Sequence, residues 1–103
     1  MFMVVISKTV LSKYADIHPD VGSALNDWYT LVKDADWKNL ADIKQSFNSV
    51  DYVADNRYVF NIKGNHYRLV AMIFFSVRTV YIKFIGTHAE YDKIDAGTID
   101  LQD

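Results

Sequence analysis

Apolar positions change their spacing near residue 48 of this chain. Up to that point they recur every three or four residues, the period of a helix with one buried face. Beyond it they crowd into short runs of Val, Ile, Tyr and Phe, the texture of strands. The first residues are an exception, because "MVVIS" is a β-branched run that reads as a short strand. Val10, Leu11, Tyr14 and Ile17 then fall on one helical stripe, which Pro19 stops. Val21, Leu25, Trp28, Leu31 and Val32 form a second stripe, with Asp20 placed to cap it. A third helix follows Asn39, its expected cap, with Leu40, Ile43 and Phe47 on the apolar side.

The strands are expected at "VDYV", "RYVFNIK", "HYRLVAMIFF" and "TVYIKFIG". "KGN" at 63–65 predicts a tight hairpin turn with Gly64 at positive φ, and "SVR" at 76–78 closes a second hairpin. The run from Tyr67 to Phe75 is apolar on both faces apart from Arg68, which marks a central strand. No repeat, low-complexity tract or flexible linker interrupts the chain. The reading is α+β in one domain over 1–103: N-terminal helices packed on an antiparallel β-meander, then a short C-terminal helix from about Ala89.

Composition narrows the function classes. Half the residues are hydrophobic and 15% aromatic, enough to bury a core rather than stay disordered. There is no cysteine, so thiol nucleophiles, disulfides and thiolate metal sites are excluded. The apolar start is only six residues long and lacks a basic leader or cleavage site, so no signal peptide is read. No run approaches the roughly 18 apolar residues of a spanning helix, so no membrane partner is expected. A soluble cytoplasmic protein is the expectation.

The net charge of −2 is unevenly spread. Residues 1–56 sum to −3, residues 57–93 to +4, and the last ten to −3. A basic segment between acidic ends fits a polyanionic partner, and equally a solvated sheet face. Arg57, Lys63, Arg78 and Lys93, with Asn65 and His66 in the turn, are its candidate RNA contacts. Tyr58, Phe60 and Tyr67 interleave with these bases; they either stack on nucleobases or pack in the core.

Alternation on the last strand separates Val80, Ile82 and Phe84 from Tyr81, Lys83 and Ile85, so Lys83 breaks an apolar pattern. Arg68 does the same beside Val70 and Met72. A cation in a sheet is costly to bury unpaired, so each reaches an edge or a polar concavity. The plainer alternative for Arg68 is an ion pair with Asp51 or Asp55. His88 and Tyr91 follow the strand, in "GTHAEYDK", and are titratable groups close to those cations. Glu90 and Asp92 read as surface residues of the tail helix. His18, His66 and His88 lack metal-ligand spacing, so no metal site is expected. Asp16 with Asp20, or Asp34 with Asp36, read as helix-end charges rather than a catalytic carboxylate pair. Gly64 and Gly86 are isolated and cradle no phosphate.

"ADWKNLADIKQSF", "DNRYVFNIKGNHYRLVAMIFF" and "VYIKFIGTHAEYDKID" together resemble the HigB group of RelE-like toxins, from about Ile6 to Ile99. The resemblance implies a RelE-like fold and a metal-independent, cofactor-free endoribonuclease that cuts mRNA, generally on the translating ribosome. It implies neutralisation by a HigA-like helix-turn-helix antitoxin, with operator DNA bound only through that antitoxin. The positions matching the superfamily's working residues are Arg68, Lys83, His88 and Tyr91. The chemistry has a use for each. Attack of a ribose 2′-OH on the adjacent phosphorus needs cations for the phosphorane charge, which Arg68 and Lys83 would supply. It needs a group that moves protons near neutrality, as imidazole does, and either His88 or Tyr91 could be the base. The chain departs from often basic relatives in being slightly acidic, which fits an enzyme that borrows substrate positioning from the ribosome. A RelE-like binding module without cleavage is the alternative reading.

Overall fold

The computed structural model describes residues 2–101. Strand β1 (Val4–Ile6) leads through Ser7, at φ 75°, into helix α1 (Lys8–Ile17). Pro19 opens a single 3-10 turn, and α2 (Gly22–Asp34) and α3 (Leu40–Ser46) follow. Then come β2 (Val50–Ala54), β3 (Arg57–Ile62), β4 (Tyr67–Phe74), β5 (Thr79–Thr87) and α4 (His88–Tyr91).

The helices form where their apolar stripes can be buried. Val21, Leu25, Trp28 and Val32 of the second stripe are at most 2% exposed, whereas Leu31 stays 49% exposed. The Asn39 side chain caps α3 by accepting from Asp42 N–H at 3.0 Å. Asp20 does not cap α2. Its carboxylate accepts from the Tyr67 hydroxyl at 2.8 Å and pairs with Lys63 at 3.1 Å, so it ties the helix entry to the sheet instead.

Five strands lie in the order β1-β5-β4-β3-β2. Strands β2 to β5 are the antiparallel meander that the sequence predicts. The short first strand joins it in parallel at the β5 edge, Val4 opposite Thr79 and Ile6 opposite Tyr81, so the whole sheet is mixed. The two tight turns rest on left-handed backbone: Asp55 and Asn56 between β2 and β3, Lys63 and Gly64 between β3 and β4.

One irregularity decides which side chains share a face. Val70 pairs with Phe84 but its neighbour Ala71 pairs with Ile82, leaving Lys83 as an extra, bulged residue. Strict alternation would keep Phe84 with Ile82 and Ile85 with Lys83. The bulge exchanges them. Ile85 joins Val80 and Ile82 against the helices, and Phe84 turns to the opposite face.

Each face therefore has its own core. On the helix side Trp28 meets Phe60 edge-to-face, with centroids 5.4 Å apart, and both side chains are essentially inaccessible. Truncating such a core aromatic costs about 3–5 kcal/mol, far more than any surface contact in this chain. Tyr58 and Tyr67 are buried in the same cluster. The alternative role drawn for Tyr58, Phe60 and Tyr67, stacking on nucleobases, is thus closed to them by packing. On the other face Val59, Val70 and Phe84 are covered by Tyr91, Ile94, Ala96 and Ile99.

Arg57 holds that second cover in place. Only 8% exposed, it donates from Nη1 to the carbonyl oxygens of Ala96 (3.4 Å) and Ile99. Replacing it, as Arg57→Met, leaves those carbonyls short of a donor at a cost of roughly 1–3 kcal/mol. Amide exchange at Thr98 and Ile99 should then speed up while the amides of β3 and β4 keep their protection.

Candidate active site

The end of β5 is fixed by a short network centred on Glu90. Thr87 and Glu90 form a capping box: Glu90 N–H donates to Thr87 Oγ1 at 3.1 Å, and Thr87 N–H donates to Glu90 Oε1 at 2.7 Å. The same Oε1 accepts from the Tyr14 hydroxyl of α1 at 3.0 Å. Glu90 is exposed, as the sequence implies, but it is also a fastener between the two ends of the chain. Its carboxyl is held below the usual range, first by the Thr87 amide and then by the hydroxyls of Tyr14 and Thr87, with a smaller contribution from His18. Burial and the Glu90 charge push Tyr14 up in turn.

Gly86 makes the approach possible. A Cβ there would sit 2.5 Å from the tip of the Phe84 ring and 3.1 Å from Glu90 Oε1.

Next to this anchor, β4 carries Arg68 opposite Gly86 and α4 carries His88 and Tyr91. Arg68 lies opposite Gly86, so no side chain stands over it, and its guanidinium reaches the Tyr91 ring at 5.8 Å. It also donates to Asn65 O at 3.3 Å and makes no pair with Asp51 or Asp55. Tyr91 leans on Phe84, with centroids 6.4 Å apart. His88 N–H donates to His66 O at 3.0 Å, which draws the β3–β4 turn alongside α4.

The His88 ring lies 3.0 Å from Asp92 through Nδ1. A carboxylate only accepts, so Nδ1 is the donor in this contact and Nε2 is left outside it. Asp92 therefore orients the imidazole, a role that sequence reading gave to neither it nor Glu90. The i,i+4 spacing of His88 and Asp92 was the available signal.

The other predicted contacts separate into groups. Lys83 is on the same face as Arg68, but its Nζ pairs with Asp100 of the tail at 3.0 Å and lies 5.9 Å from the Tyr81 ring centroid. Asp100 is lowered by that lysine contact above all. Asn65, His66 and Lys93 are exposed beside α4. Lys63 is exposed too, yet it turns to Asp20. Arg57 is buried under the tail. Arg78 stands at the far end of β5, paired with Asp36 at 2.7 Å and donating to Phe75 O and Trp37 O. Its physical role there is to close the turn into β5, at the end of the strand opposite His88.

Two expected outcomes test this geometry. Gly86→Ala should destabilise the fold by roughly 1–3 kcal/mol, the range for overpacking, with a lower midpoint in thermal melts. Glu90→Gln should change how stability depends on pH. The lowered carboxyl contributes fully above its ordinary value of 4.5, and that contribution is lost as pH falls through the lower folded value. The variant should thus be less stable than the parent at pH 7, with the gap in denaturant midpoint closing in acid.

Residues 21–94 match the family described as HigB_toxin, RelE-like toxic component of a toxin-antitoxin system. The chain is 32% identical over 94 residues to the mRNA interferase HigB of Escherichia coli O6:H1, covering 89% of this chain and 91% of that one. It is 34% identical over 92 residues to the mRNA interferase toxin HigB of Escherichia coli K12, covering 87% and 88%. The mRNA interferase HigB of Shigella flexneri matches to the same extent. With its α+β architecture and a match across most of its length, the chain belongs to the HigB family of RelE-like toxins.

Proposed function

We propose that this protein, as one toxin domain over 1–103, is a metal-independent endoribonuclease that cleaves mRNA on the translating ribosome. One observation carries the reading beyond family membership. Arg68 meets the Tyr91 ring beside the end of β5, and α4, which follows directly, carries the His88–Asp92 pair, so a cation, an aromatic ring and an imidazole lie on adjoining segments.

The ribose 2′-oxygen attacks the adjacent phosphorus and the bond to the 5′-oxygen breaks. The 2′-OH proton leaves to a base and the departing 5′-oxygen is protonated, giving a 2′,3′-cyclic phosphate and a 5′-hydroxyl. His88 carries protons through Nε2, because Nδ1 is engaged by Asp92. Arg68 meets the charge that builds on the phosphorane oxygens, and Lys83 joins it once the phosphate displaces Asp100. Tyr91, its ring against Arg68, stacks on a base or orients the 2′-OH. Asn65, His66 and Lys93, exposed at the rim, contact the RNA on either side. Lys63, Arg57 and Arg78 contribute through the structure that they hold.

Among the described residues, Arg57, Lys63, Arg78 and Lys83, four of the six cations of residues 57–93, are held by carboxylates or buried carbonyls, which supports substrate positioning by the ribosome rather than by tight binding to free RNA. The partner is a HigA-like helix-turn-helix antitoxin that brings any operator DNA contact with it. The site of action is the cytoplasm. Among the described residues no helix is long and apolar enough to cross a membrane.

Expression of the chain alone should arrest growth, and His88→Ala should abolish the arrest while thermal melts stay close to the parent; Tyr91→Ala should abolish it too, with a lower melting midpoint because the ring also covers Phe84. Losing a general acid–base group typically costs about 10²–10⁴-fold in rate, and one charge-stabilising donor such as Lys83 about 10²–10³-fold. Primer extension on translated messages reads the cleavage directly. New 5′ ends with the parent and none with His88→Ala are expected; binding without new ends would make this a RelE-fold binding module instead.

A further inference from the structure

An open cleft runs along the outer edge of β5, between α1 and the C-terminal tail, with a volume of about 510 Å³. It begins where β1 stops. That strand pairs with β5 only as far as Tyr81, and Ser7 then turns the chain away into α1. The edge of β5 beyond the bulge has no neighbouring strand.

The pairing pattern shows which backbone groups face this cleft. His88 N–H bonds to His66 O, so the bonded rungs of the β4–β5 ladder are 66/88, 68/86 and 70/84. The intervening residues, Ile85 and Thr87, turn their N–H and C=O groups outward. Thr87 N–H is taken by Glu90 Oε1, as that geometry requires. On this pattern Ile85 N–H and C=O take no part in the β4–β5 ladder and face the cleft, whose floor Ile85 lines at 8% exposure. A free strand edge of this kind is a template for a further strand.

The walls say what would fill it. Val10 and Ile17 form the α1 side, and Ile17 is 75% exposed. Phe84 and Ile99 form the tail side. Lys13 and Lys83 stand at the rim, and Lys83 already holds a carboxylate, that of Asp100. Apolar walls, outward-facing backbone groups and two cations suit an extended peptide with alternate apolar side chains and an acidic residue. RNA has no use for the apolar walls and would find few charges there.

We infer that an extended segment of the antitoxin adds as a strand to β5 at Ile85, in line with β1, with an acidic side chain on Lys13 or Lys83. The inference rests on reading the chain as the toxin of its pair. It also explains inhibition, since a segment lodged beside Lys83 sits against a residue proposed to receive the phosphate.

The test uses the full chain and the purified product of the gene adjoining its own, first checked for rescue of growth. Calorimetry should show at least a tenfold weaker complex for Ile17→Glu and for Lys13→Glu, while both variants melt and cleave like the parent. Hydrogen exchange on the parent complex should show new protection at the Ile85 amide. Parent affinity in both variants, protection confined to another face, or no binding by the adjoining product would overturn the inference. So would a free chain that dimerises through this edge and is made monomeric by Ile17→Glu. Unaltered binding leaves the nuclease reading standing, and absence of cleavage by the parent leaves the binding result standing, so the two fail separately.

Discussion

One extra residue in β5, Lys83, sets the geometry of everything after it in the chain. A bulge displaces the alternation by one position, so every later side chain lies on the face opposite to the one a regular strand would give it. Ile85 is carried into the helix-side core and Phe84 out onto the face where Tyr91 and the tail can pack against it. Gly86 then falls opposite Arg68, which leaves the guanidinium room to reach Tyr91. Thr87 turns its amide outward, where Glu90 closes the capping box and Tyr14 adds the tie to α1. The candidate site and the open cleft beside it are both products of that displacement.

The cations of residues 57–93 are sorted by this geometry into two kinds of work. Arg57 and Arg78 satisfy backbone carbonyls at opposite places in the sheet, one under the tail and one at the turn into β5. Their contribution is to stability, because a buried carbonyl without a donor is expensive. Arg68 remains accessible, and Lys83 is held by a single exposed carboxylate that a phosphate or a peptide acid can displace. A surface pair of this type is worth little in net stability, which makes it easy to exchange. The basic segment is therefore less available to a polyanion than its charge suggests, consistent with an overall net charge of −2.

The helices contribute to the site from a distance in sequence. Tyr14 and Glu90 are separated by 76 positions, and their hydrogen bond ties α1 to α4. Tyr14 stacks on His18 at 4.4 Å and meets Tyr67 edge-on at 6.0 Å, and Tyr67 in turn binds Asp20. The end of the sheet that carries His88 is thus braced by a polar and aromatic cluster.

The sequence by itself determined the elements. Helical spacing, proline and asparagine signals and β-branched runs act over a few residues, so α1 to α3, the hairpins and the central strand were legible. So were Arg68, Lys83, His88 and Tyr91 as chemically unusual side chains, and their resemblance to HigB toxins. The parallel docking of β1, the loss of Arg57 and Arg78 to structural duty, and the use of Asp20 by Tyr67 were not. Each depends on partners dozens of residues away, whose meeting is decided by packing of the whole sheet. The bulge belongs with them. Nothing local distinguishes Lys83 as an extra residue; only the competition of Phe84 and Ile85 for two different cores selects it. Tertiary structure alone could decide which of the two went inside, because burial is scored across the sheet and not along the strand.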